Sequence, residues 1–169
     1  MNILKVVKVT VPEGSVLYAT LGTADFYDAY QTLNPEPQST ALEVWFSALK
    51  KIPRWMDVAM LLRNAIVKQI GLKNVGALSA FDSNKSLQTY KVGDRVGAFT
   101  ISHLSDAEVV MGDSDKHLDV SISLCKIETN QIVISTVVCI HNWVGHVYMF
   151  FVKPAHRVIA PATLSKIAN

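Results

Sequence analysis

The C-terminal third is what most constrains how this chain can fold. Two alternating runs, HLDVSISLCKIE (117–128) and IVISTVVCIHNW (132–143), precede a long apolar run, 144–168, whose period switches to about 3.6. In that last run Val144, Val147, Tyr148, Phe151, Ala155, Val158, Ile159, Ala162 and Ile167 recur at three- and four-residue spacing, which places them on one helix face. Met149, Phe150 and Val152 fall on the other side, so the first turns are apolar nearly all round and need cover on two sides. Pro154 and Pro161 are expected to kink or divide this helix. A hairpin packed under a closing helix is the predicted centre of the fold.

The upstream chain reads as strand, helices, then more strands. Residues 2–11 predict an opening strand, ended by Pro12 and Gly14. Thr23 is placed to cap a short helix over 24–33, with Phe26, Ala29, Tyr30 and Leu33 on one side. Thr40-Ala-Leu-Glu43 matches a capping box and opens a helix over 41–52. Pro53 ends it, and a further helix over 54–70 carries Trp55, Val58, Ala59, Leu62, Ile66 and Ile70, with Gly71 as its C-terminal cap. Residues 72–91 predict a polar loop that is either a lid or slack. Strands resume at 93–102 and 105–111, with a turn over 112–115. Segregated helices and strands predict a single α+β domain, 1–169, in which a curved antiparallel sheet grips the C-terminal helix.

Composition limits the function classes. Half of the 169 residues are hydrophobic, only 18% are charged, and the mean hydropathy is +0.25. Such a surplus of apolar surface predicts a lined cavity or a homo-oligomer interface. The net charge of +2 is too small to argue for nucleic acid or an anionic membrane. No apolar run reaches the length of a membrane span, and the first residues do not read as a signal peptide. Cys125 and Cys139 are several residues out of step across the predicted hairpin, so free thiols in a reducing cytoplasm are expected.

Chemistry concentrates at the joints of the C-terminal third. His117 and Asp119 share one strand face. A two-residue turn at 129–130 sets His117 opposite Asn142, whereas a three-residue loop sets it opposite His141 and lets Asp119 orient an imidazole. The bland alternative makes His117, Asp119, Ser121 and Ser123 the solvent face of a half-buried strand. No close pair of His or Cys ligands points to a metal, and Cys125 and Cys139 sit in apolar strands that disfavour a thiolate. Asn142 reads as the cap of the last helix. Arg157 either holds an acidic headgroup at a cavity mouth, or pairs with a sheet carboxylate or is solvated.

The series Gly112-Asp113-Ser114-Asp115-Lys116-His117-Leu118-Asp119, Thr136-Val137-Val138, His141-Asn142-Trp143-Val144-Gly145-His146-Val147-Tyr148 and Lys153-Pro154-Ala155-His156-Arg157, with Pro53-Arg54-Trp55 and Leu62-Arg63-Asn64 upstream, resembles a bacterial family of unknown function. The same kind of domain extends some short-chain-dehydrogenase-like proteins, where Gly-x-x-Tyr-Trp…Pro-x-His opens the last helix. Gly145, Tyr148, Pro154 and His156 match, while Met149 replaces the second aromatic. The resemblance covers roughly 40–169 and implies the helix-grip (START or SRPBCC-type) superfamily, whose habit is to bind small molecules in an apolar cavity. No G-x-G-x-x-G follows a strand, so no NAD(P) and no other cofactor is expected.

The expected function is non-catalytic binding of a small hydrophobic or amphipathic molecule between sheet and C-terminal helix. Trp55, Tyr148 and Phe151 are its predicted apolar wall, His117, Asp119 and His141 its polar contacts, and Arg157 a contact at the mouth. One alternative is a small cyclase, isomerase or hydrolase using the His/Asp pair. Another is an accessory or oligomerisation module of a reductase system.

Overall fold

A computed structural model describes residues 6–69, 76, 85–128 and 130–167. The expected cap at Gly71 and most of the 72–91 loop lie outside the described residues, as do the side chains of Ala59 and Ile66. Among the described residues seven strands form one antiparallel sheet: β1 (Val7–Val9), β2 (Phe26–Leu33), β3 (Arg95–Val96), β4 (Phe99–Leu104), β5 (Glu108–Ser114), β6 (Leu118–Ile127) and β7 (Gln131–Ile140). Their order is β1-β2-β7-β6-β5-β4-β3, so the last strand inserts beside β2 and the rest is a meander. Three helices accompany the sheet: α1 (Ala41–Lys50), α2 (Arg54–Gln69) and α3 (Trp143–Ile167). The architecture is α+β, a curved antiparallel sheet with a long C-terminal helix.

One expected element changes type. The helix read over 24–33 is strand β2, paired along its whole length with β7. Phe26, Ala29, Tyr30 and Leu33 fit a helical period by coincidence. The same eight residues also alternate, with Phe26, Asp28, Tyr30 and Thr32 on one face and Tyr27, Ala29, Gln31 and Leu33 on the other. Tyr30 joins the cluster under the helices and Ala29 the cluster on the opposite face. A segment that is apolar on both faces and rich in aromatics is better satisfied between two strands than as an eight-residue helix.

Other expectations hold in detail. Thr40 Oγ1 accepts from the Glu43 amide at 3.3 Å and Glu43 Oε2 accepts from the Thr40 amide at 2.7 Å, completing the capping box. Asn142 Oδ1 accepts from the amides of Val144 and Gly145 at 3.1 and 3.3 Å and so caps α3. Neither proline divides α3, which runs unbroken over 25 residues. The turn expected at 112–115 instead falls at 115–117, because Asp115 Oδ1 gathers the amides of His117 and Leu118 at 2.7 and 3.0 Å.

The β6–β7 hairpin closes with a three-residue loop: Ile127 pairs with Gln131 and Asp119 with Cys139. That register places Cys125 opposite Val133, and both cysteines are free. Burial, with a lesser push from Glu108, raises the Cys125 thiol to about 11, which keeps it protonated and unreactive.

The core lies on the face where α1 and α3 sit. Val44, Trp45, Leu49, Met111, Leu124, Ile132 and Leu164 are buried there. The opposite face is covered in part by a 3-10 segment, Val16–Thr23, which brings Leu17 against Ala29, Val110, Val133 and Val137. Buried Glu108 fastens that segment. Its oxygens accept from the Ser15 hydroxyl at 2.6 Å, the Ser123 hydroxyl at 2.5 Å and the Val16 amide at 3.0 Å, so every role it plays is structural.

Candidate functional site

The hairpin register brings two of the sequence candidates together. His141 Nε2 lies 2.9 Å from Asp119 Oδ2, and the Ser114 hydroxyl donates to the other Asp119 oxygen. Asp119 shares a sheet face with Ser121, Ser123 and Cys125, the face turned away from α3. Both partners are 42% exposed, so the pair sits in high dielectric.

His117 takes a different place. It is buried, and its Nδ1 lies 2.9 Å from Asn142 Oδ1. The Asn142 amide nitrogen donates to the Lys116 carbonyl, so Oδ1 is the acceptor and His117 Nδ1 must carry the proton. Its Nε2 is then a bare acceptor and has no hydrogen-bond partner. His117 thus ties the start of β6 to the cap of α3, and its side chain does not join the His141–Asp119 pair.

A second histidine–carboxylate pair lies on the helix-covered face, where α3 crosses β2 and β7. Asp28 of β2 is almost wholly buried, and its Oδ2 is 3.1 Å from His156 Nδ1. On the far side of the ring, Nε2 is 3.4 Å from the hydroxyl of Thr136, the residue that faces Asp28 across the β2–β7 ladder. The carboxylate fixes the tautomer: Nδ1–H donates to Asp28, which leaves Nε2 free to accept. Phe26 meets the imidazole edge-on, 6.0 Å between ring centres. Tyr30 follows Asp28 along the same face. Burial above all, and then the neighbouring Asp28 charge, raises its pKa, while the Arg157 guanidinium pulls it the other way. Arg157 is exposed at the rim, and the His156 side chain keeps 23% of its surface open.

This arrangement can present one oriented imidazole to a ligand at the protein surface. The carboxylate behind the ring holds its direction, and the low exposure of Asp28 strengthens that hold.

Asp28 escaped sequence reasoning because it fell in the segment read as helix. The alternation of Phe-Tyr-Asp-Ala-Tyr-Gln-Thr-Leu was the signal that would have found it. The remaining candidates are spread out. Tyr148 Oη accepts from Arg63 Nε of α2 at 3.0 Å, and the Arg63 guanidinium stands over its ring. Trp55 and Phe151 face outward, 51% and 69% exposed. Two surface pockets formed by described residues, of about 300 and 250 Å³, lie elsewhere. One is bordered by Leu42, Tyr90, Leu104 and Asp106, the other by Val7, Gln31 and Gln131 at the sheet edge. Where α3 meets the sheet, Met149, Leu118 and Val138 are packed together.

Residues 20–163 match the model of a family described as "Protein of unknown function (DUF2867)". The chain belongs to that family. In this DUF2867 member the matched span includes both histidine–carboxylate pairs, α2 and nearly all of α3. No curated protein and no solved structure matches the chain. Among the described residues of this DUF2867 protein no group of three or more His, Cys, Asp or Glu is placed to hold a metal, and no helix is long and apolar enough to cross a membrane.

Proposed function

We propose that this protein binds a small amphipathic molecule, without converting it, at the surface where α3 crosses β2. The observation that carries the reading is the imidazole of His156, fixed from behind by buried Asp28 and open on one side. His156 Nε2 accepts a hydrogen bond from a ligand hydroxyl or amide in place of Thr136. Arg157, at the rim, attracts an acidic group on the same molecule. Phe26 supplies the apolar contact. Met149, Leu118 and Val138 pack together under the start of α3, so the proposed site lies at the rim of that helix.

A second reading has one observation in its favour. Carboxylate, imidazole and hydroxyl are lined up in the order Asp28, His156, Thr136, the order by which a base activates a nucleophile. Thr136 is buried, however, and its oxygen has no open side toward a substrate. The imidazole alone would then serve as a general base, in an isomerase or hydrolase.

Native mass spectrometry of the gently purified protein, followed by solvent extraction, tests the binding reading. A stoichiometric small molecule, absent from the His156→Ala protein, is expected. A bare polypeptide mass, together with turnover of a carbonyl or ester substrate that His156→Ala abolishes, transfers the site to the catalytic reading.

A further inference from the structure

Helices α2 and α3 run in opposite senses and touch through long side chains: Arg63 meets Tyr148, and the Thr163 hydroxyl meets Met56 Sδ at 3.6 Å. Each helix turns an apolar stripe away from the body. On α3 the stripe is Trp143, Val147, Phe150, Phe151 and Val158, at four- and three-residue steps opposite buried Met149 and Leu164. On α2 it is Trp55, Val58, Leu61 and Leu62, opposite buried Met56 and Asn64. The four aromatics are 51–74% exposed, so they alone leave roughly 400–700 Å² open, at or above the largest apolar patch of an ordinary monomer.

The charge along α3 has one sign, whereas α2 carries Asp57 beside its stripe. From Trp143 to Ile167 there is no carboxylate, and His146, Lys153 and Arg157 line one edge of the α3 stripe. Among the described residues neither Lys153 nor Arg157 forms an ion pair; Lys153 stands 5.5 Å over the Phe26 ring. Arg54 and Lys68 are exposed beside the α2 stripe. The protein's net charge of +2 conceals the cationic edge of α3, because no carboxylate falls on that helix.

We infer that the outer face of α2 and α3 docks on an anionic lipid surface, with α3 lying in the plane of the interface. Aromatic and aliphatic side chains on one side of a helix and lysine and arginine along its edge are what such a surface selects. A second copy is the poorer fit. A two-fold interface centred on α3 sets its cations against one another, because that helix carries no carboxylate. Arg157 is shared with the proposed ligand site, whereas the outward stripes, probed by Phe150→Ser, are separate from it.

Vesicle flotation tests it, with phosphatidylcholine vesicles containing about 30 mol% phosphatidylserine compared with phosphatidylcholine alone, at about 0.1 M and 0.5 M salt. The protein should float with the anionic vesicles at low salt, bind the neutral ones about tenfold less, and detach at high salt. Phe150→Ser and, separately, the double change Lys153→Glu with Arg157→Glu should each weaken binding about tenfold or more while circular dichroism stays native. A protein that stays in solution with both vesicles overturns the inference. So does a dimer by light scattering that Phe150→Ser abolishes, which assigns the face to a second copy.

Discussion

Among the described residues the same histidine–carboxylate contact occurs on opposite faces of one sheet. His141 and Asp119 meet at 2.9 Å and His156 and Asp28 at 3.1 Å, so length does not separate them. Surroundings do. The first pair joins strand-end neighbours in one hairpin and is open to water on both sides. The second joins residues 128 positions apart, a helix and a strand, with the carboxylate 3% exposed. An exposed pair is screened and contributes little, whereas a buried carboxylate without its partner is a large unpaid desolvation. Geometry alone therefore does not rank two such pairs; burial does.

Removing each carboxylate is the strongest way to break this comparison. Asp28→Ala leaves the His156 and Tyr30 donors without their shared acceptor and should cost about 2–4 kcal/mol in urea unfolding. A loss under about 1 kcal/mol would make the two pairs equivalent and contradict the ranking.

Gly145→Ala comes next. A Cβ there would lie 2.5 Å from the His117 carbonyl oxygen and 2.7 Å from Ile140 Cγ2, and the first of these is backbone. The change should cost about 1–3 kcal/mol by forcing the start of α3 off the sheet. Amide exchange sharpens the comparison: residues 144–149 should lose protection while those around His156 keep it, if that pair holds the middle of the helix by itself. Uniform loss along α3 would say that it does not.

Tyr30 adds an alkaline pH dependence on the helix-covered side, and the raised Cys125 thiol adds one on the opposite face. The raised folded pKa of Tyr30 favours the protonated phenol, so its contribution is complete below about pH 10 and is lost as pH rises from there through the folded value. Unfolding measured from pH 9 to 11 should show a decline that Tyr30→Phe reduces, with the remainder belonging to Cys125. An unchanged decline in Tyr30→Phe would place the alkaline sensitivity elsewhere. The smallest effect belongs to Asp119→Ala, about 0–1 kcal/mol and shrinking further in high salt. A loss above about 2 kcal/mol would mean that the exposed pair bears structure after all.

Legibility in the sequence follows the same divide between local and distant. The hairpin, the caps at Thr40 and Asn142 and the length of α3 rest on neighbours in the chain, and all were readable. The Asp119–His141 pairing followed once the loop was known to have three residues, a choice the chain left open, and Glu128 takes a left-handed φ of 62° in that loop. Asp28 was not readable, because its partner lies on a different element and its own segment fits two periods. What turned Phe26–Leu33 into a strand was the vacant edge of β7, a tertiary fact. The outward stripe of α3 was also misjudged: an apolar helix surrounded by cover and one with a bare apolar side have the same sequence.

The central claim is that function resides with the helix-covered pair. It is tested most directly by comparing ligand occupancy in native mass spectra of the wild type, His141→Ala and His156→Ala, purified in parallel. The account predicts that wild type and His141→Ala carry the same small molecule and that His156→Ala comes away without it. Occupancy lost in His141→Ala and kept in His156→Ala would contradict it and return the site to the exposed pair.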